Sequence, residues 1–194
     1  MNAMKRVLGI SVALVALTVG ACTNKQGDSE APVFLTVDIA LQPGFINIGV
    51  VAPVQIPTIN IASHFKNPQQ TDPQHFADVE LNSYKIHFRR TDGGTLVPAD
   101  QNFPAGVILP SGGTATLTNF PILPASAIQL SPFDQLLPFN GGVDRETGRD
   151  EIDMAWDITF FGQTASGLRV SSTTASGILQ ARFAGSTPLS KSIR

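Results

Sequence analysis

From Val33 onward apolar and polar positions alternate along the chain, and a period of two predicts strands. In VFLTVDIAL, Val33, Leu35, Val37, Ile39 and Leu41 share one face while Thr36 and Asp38 share the other; Pro43-Gly44 ends the run. Phe45 to Val51 is a weaker strand, and Pro53 and Pro57 bracket Val54 to Ile56. Thr58 to Lys66 alternates again, with Ile59, Ile61 and Phe65 in phase, and Asn67 to Pro73 is dense in turn residues and predicts a loop.

Val79 to Thr91 changes phase midway, because Val79 and Leu81 are odd whereas Tyr84, Ile86 and Phe88 are even. A bulge near Asn82-Ser83 puts both sets on one face. Asp92-Gly93-Gly94 then predicts a hairpin turn. Gly106 to Leu109, Ser111-Gly112-Gly113 and Thr114 to Phe120 predict a second hairpin. Within the proline-rich stretch 121–139, Ser131 to Leu137 has a helical start, with Ser131 as N-cap and Pro132 at the first position. Ile152 to Phe160 alternates most cleanly of all. Gln163 to Gly167 turns it into a return strand, Leu168 to Phe183, with a bulge expected at Gly177. Thr-Ala-Ser-Gly occurs at 164–167 and again at 174–177, which fits shared turn chemistry rather than a structural repeat.

Seven or eight strands, little helix and turns rich in Gly, Pro and Asp predict an all-β protein, an antiparallel β-sandwich over residues 33–185. Strands with one apolar and one polar face suit sheets whose outer sides meet water. The two cysteines that pack on a tryptophan in antibody-type domains are absent, and Trp156 is left as a candidate core plug.

A different pattern precedes the strands. Lys5 and Arg6 are followed by Val7 to Val19, an uncharged and mostly apolar run, and then by the small residues Gly20 and Ala21. Spanning a bilayer takes roughly 20 apolar residues, so residues 1–21 are expected to be an export signal rather than a permanent span. Val19-Gly20-Ala21-Cys22 resembles the lipobox of bacterial lipoproteins. The resemblance implies that Cys22, the sole cysteine, becomes the acylated first residue of the mature chain. Buried acyl chain contributes about 0.8 kcal/mol per CH₂, so two or more chains hold a protein firmly on a leaflet. Thr23, in the position after the cysteine, implies outer-membrane delivery in a cell with two membranes. The polar stretch 22–32 is expected to be a flexible tether, and 186–194 a fraying tail. The expected location is therefore the cell envelope, with the membrane as a partner through Cys22.

Charge narrows the partners. Thirteen basic against fifteen acidic residues leave no basic face for nucleic acid. Without Lys5 and Arg6, eleven basic side chains face fifteen acidic ones, so the body offers anionic headgroups no attraction and membrane attachment rests on the anchor. A single cysteine excludes an intramolecular disulfide and any multi-cysteine metal site.

Between residues 79 and 185, the segments YKIHFRRTDGG, SGGTATL and ITFFGQTASGLRV resemble uncharacterised bacterial lipoproteins that carry an immunoglobulin-like domain. The resemblance implies an immunoglobulin-like sandwich and carries no activity with it.

Candidate chemistry is sparse. No G-x-S-x-G elbow and no H-E-x-x-H pair is present. His87 shares a strand face with Lys85 and Arg89 and is expected in solvent. Asp72, His75 and Asp78 can converge on a divalent metal from one loop, although Asp72 before Pro73 equally starts a turn. Asp144, Glu146, Asp150 and Glu151 offer hard oxygen ligands for calcium, opposed by Arg145 and Arg149 in the same loop. Asp153 and Asp157 lie on one strand face roughly 13 Å apart, beyond the ~5–9.5 Å that paired carboxylates use on glycosides. No catalytic residue and no cofactor is expected. The expected role is a non-catalytic binding or accessory module that docks on another envelope protein. Its alternative is a small-ligand or calcium site in the end loops. The irregular stretch Phe120 to Phe139, with Ile122, Leu123, Phe133, Leu136 and Leu137, is the expected contact surface unless it caps the core.

Overall fold

The computed structural model describes residues 30–185. The expected export signal, Cys22, most of the expected tether and the expected tail 186–194 lie outside the described residues. Ala31, at the end of the tether, is buried, and the Lys66 N–H donates to the Pro32 carbonyl, so packing starts ahead of the first strand.

Two sheets pack face to face. One has three strands in the order β1 (Val33–Leu41), β3 (Val54–Phe65), β6 (Thr114–Leu123). The other runs β2 (Ile46–Asn47), β9 (Ala175–Arg182), β7 (Glu151–Thr164), β4 (Val79–Arg90), β5 (Gln101–Leu109), and β8 (Arg169–Ser171) also pairs with β7. All pairings between named strands are antiparallel except the short β2–β9 contact. The alternation read along the chain is the alternation of burial. Ile152, Met154, Trp156, Ile158 and Phe160 are fully buried between the sheets, as are Tyr84, Ile86 and Phe88 opposite them. Trp156 does plug the core. The Tyr84 hydroxyl donates to the Pro121 carbonyl across the sandwich at 2.6 Å, and its ring packs on Phe103, Phe120 and Phe160.

The bulge expected near Asn82-Ser83 is present, since the register of β4 shifts between Leu81 and Ser83 against both neighbours. That shift lets Val79, Leu81 and Tyr84 share the core face.

Several expectations are corrected. The Ser111-Gly112-Gly113 turn does not close a hairpin: β5 pairs with β4, β6 pairs with β3, and the turn carries the chain from one sheet to the other. Turn residues alone do not say whether the strands they join will pair or diverge. The two runs around Pro57 are one strand, β3. The register with β6 shifts between Val54 and Gln55 and then runs evenly to Ala62 except for the missing Pro57–Asn119 pair, where Asn119 adopts φ 54°, a conformation Asn tolerates better than most residues. The weak strand at 45–51 shrinks to Ile46–Asn47. The return strand is broken at Ser172–Thr174, where three residues oppose Thr159 and Phe160, and not at Gly177. Gly177 sits in register opposite Trp156, where a Cβ would fall 2.3 Å from the indole. Its glycine makes room for a ring, not for a kink. The second Thr-Ala-Ser-Gly leads into β9 and is no turn. In the proline-rich segment a 3₁₀ turn covers Phe133–Leu136 with Pro132, not Ser131, at its N-cap, and a single helical turn at Ala125–Ile128 is additional.

The break at Ser172–Thr174 joins the sheets. Leu35 bridges Ser172, the Thr173 N–H donates to the Leu35 carbonyl, and the Val37 N–H donates to Thr173 Oγ1. One seam of the sandwich is thus stitched. Along the other, β5 and β6 lie in different sheets with no pairing between them, and their core-facing Phe103, Ala105, Val107, Ala115 and Leu117 are only partly buried.

Candidate functional site

Strand directions define two ends. β3 finishes, β1 begins and β4 begins at the end where the chain enters, together with the loops at 66–78, 110–113 and 165–168. The opposite end gathers 42–53, 91–100, 124–150 and the close of β9.

At the entry end Asp72 and Asp78 meet at Ser111 and His75 pairs with Asp78, but the three are not grouped to hold a metal ion. Their oxygens are occupied by the fold's own donors. Asp72 accepts the N–H groups of Phe76 and Ala77 at 3.1 and 2.6 Å and the Ser111 hydroxyl at 3.2 Å. Asp78 accepts the Ser111 N–H at 2.7 Å and contacts His75 Nδ1 at 3.1 Å. Burial acts to raise the Asp72 pKa, yet the two backbone N–H groups and Ser111 outweigh it and hold the carboxyl below its usual range. This is turn chemistry, in which a carboxylate closes its own loop and pins the 110–113 turn.

The opposite end is organised by Arg90, which sequence reasoning missed. β4 places Arg90 in phase with Tyr84, Ile86 and Phe88, on the core side, and its side chain is 1% exposed. A cation on the apolar phase of a strand was the available signal. Arg90 meets Asp92 with two bonds of 2.7 and 2.8 Å and Asp144 with one of 2.8 Å; both acids are fully buried. Gly94 lets the guanidinium lie against the turn, since a Cβ there would fall 2.5 Å from it. Asp92 also accepts the N–H groups of Gly94 and Asp153, and Asp144 accepts the hydroxyl and the backbone N–H of Thr147. Burial disfavours both charges, but Arg90 and these donors prevail. Asp92 is held at about 2 and Asp144 below the usual carboxylate range, while Arg90 is pushed further up.

Three of the four carboxylates considered for calcium are taken up by partners in the fold, and Glu146 also lies 3.7 Å from Arg90. Asp144 is on Arg90. Glu146 accepts the Thr95 hydroxyl and the N–H groups of Thr95 and Leu96, with the hydroxyl first among the donors that lower its pKa. Glu151 bonds Arg149 and Gln180, and Asp150 is exposed. Among the described residues no three His, Cys, Asp or Glu side chains are grouped to hold a metal ion. His87 is exposed on the outer face, as expected, and shares Asp100 with Lys85 at 2.7 Å each. Asp153 and Asp157 are each held on that same face, by Arg149 and Gln180 and by Arg89 and Ser176 respectively.

Beside the Arg90 end the 42–57 segment forms an open cleft of about 370 Å³, lined by Pro43, Phe45, Ile46, Val50, Val54 and Pro57 among others, with Arg182 stacked on the Phe45 ring at 4.4 Å. Leu41, Phe45, Val50 and Val51 are exposed around it. The proline-rich segment divides: Ile122, Leu123, Phe133 and Leu136 cap the core, whereas Leu130 and Phe139 stand in solvent, Phe139 at 81% exposure. Of the twelve exposed large apolar side chains among the described residues, eight belong to this end, which makes it the more apolar of the two ends. Among the described residues no helix is long and apolar enough to cross a membrane.

Compared with family models and with curated proteins, the chain matches none.

Proposed function

We propose that the chain is a lipid-anchored, non-catalytic module of a bacterial cell envelope, exported by residues 1–21 and acylated at Cys22. The observation that carries this reading is the sole cysteine at the end of Val19-Gly20-Ala21-Cys22, behind a basic and then an apolar run. The two packed sheets suit the immunoglobulin-like class that the sequence resembles. Polar groups that otherwise invite chemistry are taken up by turns and by Arg90, which favours a binding or accessory role over catalysis. With residues 30–32 at one end, an anchor at Cys22 is tied to that end and leaves the opposite end free of the tether. The cleft and the exposed Phe45, Val50, Leu130 and Phe139 are then offered to another envelope protein.

Labelled palmitate tests the anchor. The wild-type chain is expected to incorporate label in a bacterial host and to fractionate with membranes. Cys22→Ser is expected to lose the label and appear as an uncleaved precursor or a soluble form with an unchanged melting temperature. An unlabelled wild-type protein, wholly soluble in the periplasm, overturns the reading.

A further inference from the structure

β6 is an edge of the three-stranded sheet, paired only with β3 among the described residues. The Ser63 N–H donates to the Gly113 carbonyl, which makes 63 and 113 a hydrogen-bonded pair of the β3–β6 ladder. Antiparallel ladders alternate, so Ala115 and Leu117 also turn their backbone groups toward β3. Thr114, Thr116 and Thr118 turn theirs outward. No hydrogen bond to those outward groups exists among the described residues, and all three threonines are exposed.

Other edges are protected. β1 is bonded to Ser172 and Thr173, β2 has two residues, and β5 carries Pro104 and a register shift at Gly106, whose φ is +62°. β6 has neither charge nor proline from Thr114 to Asn119, and nothing on it repels a second strand.

We infer that two copies of this chain associate through β6, antiparallel about Thr116, to join their three-stranded sheets into one of six. The occupant follows from the segment itself. In TATLT, pairing Thr116 with its own copy sets Thr114 against Thr118, so the outward residues meet as hydrogen-bonded pairs. The outer face then carries threonine opposite threonine, a favourable cross-strand pair. On the inner face Ala115 meets Leu117, and both are incompletely covered in one copy. The contact is isologous and closes at two.

Two variants of the full chain test this. Thr116→Pro removes an outward N–H that β3 does not use, and proline is tolerated on an edge strand. Thr116→Cys places two cysteines about 5.5 Å apart across the dyad, within disulfide reach. In the purified full chain in detergent, sedimentation is expected to give two chains per particle for wild type and one for Thr116→Pro. On oxidation, Thr116→Cys is expected to form a linked dimer well above wild type, and Thr36→Cys on the outer face is not. Should the proline variant fail to fold, the cysteine pair still decides. A wild-type chain that stays single at every concentration overturns the inference. So does a dimer that survives Thr116→Pro, or linkage no greater in Thr116→Cys than in Thr36→Cys.

Discussion

Where the chain enters the sandwich, Asp72 closes a loop by accepting N–H groups four and five residues ahead of it. At the other end Arg90 is buried and is met by Asp92, two residues on, and by Asp144, 54 residues on. Both ends use carboxylates to tie loops together, but the physics differs. Backbone donors at the entry end are neutral and partly wet, so losing one leaves a group that water can reach. The Arg90 end holds opposite charges away from water, where each is tolerable only while the others remain. One end is a set of turns; the other is an interdependent cluster.

The largest expected effect follows from that dependence. Arg90→Met leaves Asp92 and Asp144 buried without their cation, and breaking a buried pair in this way destabilises by about 3–5 kcal/mol. For a chain of this size that is a fall in Tm of roughly 10 °C. A thermal scan checks it. Arg90→Met within a degree of wild type means the cluster is not holding the 91–100 and 141–150 loops.

Acid sharpens the same contrast with a smaller effect. The Asp92 carboxyl has a folded pKa of about 2 and an unfolded value near 4, so its contribution is complete above roughly pH 5 and is lost as the pH falls toward 2. The shift corresponds to about 2 kcal/mol, and Asp144 is moved in the same direction. Unfolding by urea at pH 4 and pH 2 is expected to show that loss in wild type. In Arg90→Met the difference between the two pH values shrinks, because acid then neutralises carboxylates that lack a partner.

The two ends also differ in how legible they were. Asp72-Pro73 announces a turn in two residues, and His75 and Asp78 follow close behind, so local sequence was enough. The strands at Ile152–Phe160 and Val79–Arg90, and the bulge between Leu81 and Ser83, were equally plain, because burial on one face enforces a period that a bulge must interrupt. Arg90 carried its own signal, a cation in phase with Phe88, but its partner Asp144 stands at the far side of the proline-rich segment. Which acid reaches it is a matter of tertiary geometry. Likewise Gly177 announced an irregularity, yet only the pairing with Trp156 shows that it clears space for a ring. The sheet exchange at Ser111–Gly113 was hidden for a related reason: Gly-Gly fits a hairpin and a crossover alike, and partner choice lies in strands β3 and β4.

At the entry end the expected effects are smaller and rank by exposure. Asp72→Ala removes the acceptor for two N–H groups and the Ser111 hydroxyl and so loosens both the 72–78 loop and the 110–113 turn. A drop of a few degrees in Tm is expected, with faster amide exchange confined to Phe76, Ala77 and their neighbours, since the freed groups find water. His75→Ala should do less still. Its side chain is 71% exposed, its one bond is to Asp78, and exposed ion pairs contribute between nothing and about 1 kcal/mol. Asp78 keeps the Ser111 N–H whether or not His75 is there. If His75→Ala instead lowers Tm as much as Asp72→Ala, the loop is held by the histidine rather than by the carboxylate cap, and the contrast with the Arg90 end must be redrawn around it.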